Sequence, residues 1–172
     1  ENDIAVSLSR AANIEKWVQA FAIFIHDKYS PEKQRELFLR QNAFLKEQME
    51  KNGLTVFPNE DSHSRSVLKT IENASFIGGD FELIERLSAE GFKLATLTWN
   101  AENCYAGGAD SPEGLTALGK EAVKKFSECS VTIDVSHLSD MSFWDVVKQT
   151  DKASGGVRIL ASHSNARAVC GH

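Results

Sequence analysis

Residues 17–53 read W-V-Q-A-F-A-I-F-I, then H-D-K-Y-S, then P-E-K-Q-R-E-L-F-L-R-Q-N-A-F-L-K-E-Q-M-E-K-N-G. The first nine form a short apolar run bounded by polar residues, the pattern of a strand buried on both faces as in parallel sheets. A helix with clear punctuation follows. Ser30 stands as N-cap, Pro31 takes the first helical position, and Leu37, Phe38, Phe44, Leu45 and Met49 recur at helical spacing before Gly53 stops the run. One strand feeding one helix makes a βα unit.

The unit recurs along the chain. A brief strand ends at Ile71 and Glu72, and a helix from about Asp80 carries Leu83, Ile84 and Leu87 and stops at Gly91. Residues 92–99 (F-K-L-A-T-L-T-W) read as the next strand, and Leu115, Leu118, Ala122, Val123 and Phe126 form one stripe of an amphipathic helix. Residues 130–135 resume as strand, a helix with Phe143, Val146 and Val147 follows, and residues 157–161 are a last strand. About five strands alternate with helices, which predicts an α/β fold with a parallel sheet. Alternation fits an open sheet as well as a (β/α)8 TIM-type barrel. No Gly-rich phosphate loop follows a strand, which disfavours a dinucleotide-binding sheet, and the barrel is the expectation. Such a barrel takes about 250 residues. The 172 residues are therefore expected to form one partial barrel domain, 1–172, with about strands 2 to 6 of eight.

The net charge of −5 comes with no basic block or stripe, which argues against nucleic acid and anionic membrane surfaces as partners. A small neutral or zwitterionic substrate is easier to accept. Three cysteines, Cys104, Cys129 and Cys170, without a C-x-x-C pair suggest reduced thiols and a cytoplasmic setting. No apolar run reaches the roughly 20 residues of a membrane-spanning helix.

Three side chains with metal-binding chemistry sit where a predicted strand gives way to a loop: Glu72, His137 in D-V-S-H and His163 in A-S-H-S-N. In a barrel the C-terminal ends of different strands converge on one face, so these residues would share a pocket. Imidazole nitrogen and carboxylate oxygen are good zinc ligands, and three protein ligands plus a water is the pattern of a catalytic site. By residue type alone, each histidine reads equally well as a hydrogen-bonded residue with no metal. His26, His63 and His172 match no ligand motif, the first two reading as solvated loop residues, and Arg167 receives no role.

Several linked stretches resemble the renal (membrane) dipeptidase family. These are T-I-E-N-A at 70–74, T-L-T-W-N at 96–100, G-L-T-A-L-G-K-E-A-V at 114–123, D-V-S-H-L-S-D-M-S-F-W-D-V at 134–146 and A-S-H-S-N-A-R-A-V-C at 161–170. The resemblance implies a zinc-dependent hydrolase of dipeptides that uses two Zn2+ ions and a metal-activated water. It assigns Glu72 to the carboxylate bridging the ions, His137 and His163 to the second ion, and Asp134 to the D-x-S-H aspartate that orients the site. Beyond these ligands it implies no catalytic residue in this segment. The expected partner is a small dipeptide, and the reading admits a homodimer.

Departures from the family pattern leave other readings open. No H-x-D motif, which holds the family's first zinc, lies between residues 1 and 17, and the family's carboxylate-gripping arginine and late catalytic aspartate would fall beyond residue 172. Trp99 stands where the family carries a substrate-contacting histidine, so a substrate-binding role with altered preference is expected there. A metal-dependent amidohydrolase acting on another small amide or lactone, and a non-catalytic ligand-binding barrel, are the alternatives.

Overall fold

The computed structural model describes residues 8, 10–58, 65–150, 156–166 and 168–170. The main elements are β1 (Trp17–Phe24), α1 (Pro31–Lys51), β2 (Thr55–Val56), β3 (Arg65–Glu72), α2 (Phe81–Ala89), β4 (Phe92–Thr96), α3 (Ala117–Glu128), β5 (Thr132–Asp134), α4 (Asp140–Thr150) and β6 (Ile159–Leu160). The strands form one sheet in the order β1-β3-β4-β5-β6, and every pairing is parallel. Parallel neighbours separated by a helix are what repeated βα units produce.

Helix boundaries follow their caps. The Ser30 hydroxyl accepts from the Lys33 N–H and Pro31 opens α1; Thr116 caps α3 by accepting from the Gly119 N–H at 2.9 Å. These bonds satisfy amide groups that the first helical turn leaves without partners. The stripes of α2 and α3 bury as spaced, with Leu83, Ile84, Leu87, Ala122, Val123 and Phe126 all in the core. Ile71, Ala95 and Ile133 lie side by side across β3, β4 and β5 and form its centre. Phe38 of α1 stacks on Phe76 at 4.2 Å between ring centroids and seats the helix on the sheet. Each such buried side chain contributes roughly 1.5–3 kcal/mol by leaving water.

Four sequence expectations change. β1 is not buried on both faces: it ends the strand order, Val18 is 48% exposed, and burial is confined to Ile23 and, just past the strand, Ile25. An apolar run reports what a strand can bury, and its neighbours decide what it does bury. Phe44 is exposed at the rim of a groove beside Phe21 and Leu37. The strand predicted over 92–99 ends at Thr96, whose hydroxyl donates to the Thr98 carbonyl at 2.9 Å and turns the chain out of the ladder. β2 was not predicted; it pairs with the start of β3, and Val56 sits where a β-carbon on Gly91 would lie 2.2 Å away, so only glycine fits there. Among the described residues no helix is long and apolar enough to cross a membrane.

Candidate metal centre

Glu72 is the last residue of β3, His137 follows β5 by three residues, and His163 follows β6 by three. Parallel strands deliver their C-terminal ends to one face, and there the three side chains meet. One ligand atom from each lies within 4.8 Å of the others. His137 Nε2 is 3.4 Å from Glu72 Oε1 and 2.8 Å from His163 Nε2. Zinc bonds of about 2.0–2.2 Å in a tetrahedron place ligand atoms roughly 3.4 Å apart; the His137–Glu72 pair matches that spacing, and the two imidazoles stand closer than it, at 2.8 Å.

Both imidazoles are oriented from behind. His137 Nδ1 meets Asn100 Oδ1 at 3.0 Å; an amide oxygen only accepts, so Nδ1 carries the proton and Nε2 keeps its lone pair. His163 Nδ1 meets Ser162 Oγ at 2.6 Å, and that hydroxyl donates onward to Asp134 Oδ2, which makes Nδ1 of His163 the donor as well. Two Nε2 lone pairs therefore face each other beside a carboxylate. Such a donor set calls for a cation between its members, and zinc fits it. Burial holds the His137 imidazole below its ordinary pKa; the nearby His163 pushes the same way, while Glu72 and Asp134 oppose it. The neutral ring is the form that ligates metal.

Asp134 is buried at the end of β5 and accepts hydrogen bonds from both backbone and side chain. Oδ1 accepts from the Ser136 N–H at 3.0 Å and the Ser162 N–H at 3.1 Å, tying the β5 and β6 loops together, while Oδ2 serves the His163 relay. Ser136 Oγ accepts from the His163 N–H at 3.1 Å and completes the link. Asn73, directly after Glu72, has φ 68° and donates from Nδ2 to the Ile25 carbonyl at 2.7 Å, while its backbone N–H donates to Thr96 Oγ1 at 2.8 Å. It stitches β1, β3 and β4 where they deliver the site.

Trp99 is half-buried, its ring 6.4 Å from that of His137. His26 overturns its reading as a solvated loop residue: it is half-buried against Trp99 at 4.9 Å and Phe24 at 6.0 Å. Its pairing with Trp99 joins the ends of β1 and β4, which no local motif announces. A cavity of about 640 Å³ opens beside His137, lined also by Leu138, Met141, Ser164 and Asn165. His63, Arg167 and His172 lie outside the described residues.

Comparison with known proteins places this arrangement. The chain is 30% identical over 108 residues to an uncharacterized protein in the pqqA 5′ region of Klebsiella pneumoniae, covering 58% of this chain and 38% of that protein. It is 34% identical over 88 residues to Dipeptidase 3 of Rattus norvegicus, covering 46% of this chain and 17% of that one. A metallo peptidase from Rhodobacter sphaeroides, solved with a phosphinate mimic of the dipeptide L-Ala-D-Ala, superposes with a TM-score of 0.78 at 20% identity, over 95% of this chain and 57% of that one. The chain thus spans well under two thirds of these relatives, and its parallel βα units are part of their TIM-barrel fold. The family model for membrane dipeptidase, peptidase family M19, matches residues 1–172, and the chain belongs to that family.

Proposed function

We propose that the whole protein is a zinc-dependent dipeptidase, with Glu72, His137 and His163 as metal ligands. The observation that carries this reading is the donor set: two imidazoles with Nδ1 already bonded and Nε2 directed at one point beside a carboxylate. Family membership and the dipeptide mimic held by the Rhodobacter relative support it. Zinc in such a site supplies Lewis acidity and a water of lowered pKa. The chain's own part is to hold the ligands in register through Asp134, Ser136 and Ser162, and to wall the site with Trp99. Glu72, with two carboxylate oxygens, is the ligand suited to serve two ions.

Trp99 favours one second reading, hydrolysis of another small amide or lactone, because a large apolar ring beside His137 reshapes whatever binds there. The test uses the whole protein, its zinc content, and hydrolysis of dipeptides and lactones by the wild type, His137→Ala and His163→Ala. Zinc should fall in both variants, and dipeptide hydrolysis should drop by more than the about 10–100-fold typical of residues behind the ligands. Equal zinc in all three proteins would overturn the ligand assignment, and a zinc protein active only on lactones would select the second reading.

A further inference from the structure

Asn100 is held through both its backbone and its side chain. Its carbonyl accepts from the Asp110 N–H at 2.8 Å, and a β-carbon on Gly108 would lie 2.5 Å from that same oxygen and 2.2 Å from the Trp99 carbonyl, so the loop closes around residues 99–101 only because position 108 has no side chain. The same loop reaches the segment that carries His137: Gly108 forms a bridge with Leu138, and the Gly107 carbonyl accepts from the Ser139 N–H at 3.0 Å. His137 itself sits at φ 68°, a left-handed conformation that costs a non-glycine residue about 1–3 kcal/mol unless its surroundings impose it. Thr98 Oγ1 donates to the His137 carbonyl at 3.2 Å while Asn100 Oδ1 holds the ring at 3.0 Å, so the segment after β4 grips backbone and side chain together.

From this we infer that Asn100 is a positioning residue that fixes His137 as its Nδ1–H tautomer and aims the Nε2 lone pair at the metal centre, an inference that rests on the ligand assignment proposed above. An imidazole without this acceptor samples both tautomers, and the Nε2–H form cannot ligate through Nε2. The amide oxygen bonds to His137 Nδ1, with no hydrogen bond to Glu72 or His163 among the described residues, so it acts through His137.

The test compares the whole protein with Asn100→Leu, which keeps the branched shape and removes the acceptor, and Asn100→Asp, which keeps an acceptor in place. Zinc affinity is read by chelator competition, and the tautomer of His137 by ¹⁵N resonances of the metal-free protein. We expect Asn100→Leu to bind zinc about 10–100-fold more weakly and to lose the Nδ1–H signature, with Asn100→Asp close to the wild type in both. Unchanged affinity in Asn100→Leu, or equal losses in both variants, would overturn the proposal. Should the leucine variant not fold, the wild-type spectrum decides: a dominant Nε2–H His137 overturns it. If the wild type takes up no zinc, the proposed function fails, while the same spectrum still judges Asn100 on its own.

Discussion

Trp99 and His26 form a ring pair beside the proposed metal centre. Tryptophan offers one N–H donor on a large ring, where a histidine would offer a smaller ring able to carry charge. In the structure an imidazole lies beside the indole: His26, just past the end of β1, packs on Trp99, and its Nδ1 accepts from the Lys28 N–H at 3.1 Å, which leaves the ring proton on Nε2. We predict that Trp99→His changes the ratio of kcat/KM between polar and apolar dipeptides by about tenfold or more, the scale that altered pocket contacts command. Wild type and variant with superimposable profiles over a dipeptide panel would put Trp99 outside the substrate's reach. The clustering of Glu72, His137 and His163 was legible in the sequence because strand ends converge in a parallel fold. His26 was not, because its significance lies in a ring contact with a residue two βα units away, and Asn100 was quoted within a motif without a role because only geometry shows its amide behind His137.

Lys69 illustrates how an element can contain a cost. It lies in the middle of β3, 1% exposed, with Nζ 4.3 Å above the Phe92 ring, 3.2 Å from the Glu90 carbonyl and 3.8 Å from the Glu90 carboxylate. Burial draws its pKa from 10.5 down to about 8, the Glu90 charge opposing the shift and Lys46 adding to it. Below pH 8 folded and unfolded chains both hold the proton, and the burial cost is fully present. Between about pH 8 and 10.5 the unfolded chain holds more protons, so stability contributed at Lys69 rises with pH, by at most about 1.4 kcal/mol per unit. In Lys69→Met this slope should vanish, while Glu90 keeps its bonds to Lys46 at 2.7 Å and Asn42 at 3.0 Å. Urea unfolding of the whole protein across that range, wild type beside Lys69→Met, reads the difference; parallel curves would refute it. At this scale the helices were legible, since caps and stripes are local chemistry. Strand limits were less so. β4 stops at a hydroxyl turn, and two-residue β2 is too short to carry any period.

At the scale of the whole molecule, strand and helix alternation announced parallel βα units but could not separate a barrel from an open sheet, because closure is a property of all strands together. The superposition on a longer relative supplies that, and it raises a question of what residues 1–172 do alone. The strand order runs from β1 to β6, and among the described residues neither end strand has a neighbour on its outer side. β1 exposes Val18, and both residues of β6, Ile159 and Leu160, are at least 40% exposed. Unpaired edges of this kind are templates for pairing with other chains, and the apolar groove formed by Phe21, Leu37, Phe44 and Leu45 adds surface that favours association. His163, three residues after β6, is exposed as well, so a ligand of the proposed centre hangs from the least supported strand. We therefore predict that residues 1–172 expressed alone aggregate, and hydrolyse no dipeptide even with added zinc. Size-exclusion chromatography and a thermal melt check the first part, and a dipeptide assay the second. A soluble monomer with a cooperative transition would mean that the described sheet tolerates its open edges. If that monomer also cleaved dipeptides, the three ligands here would suffice without the remaining strands that longer relatives carry.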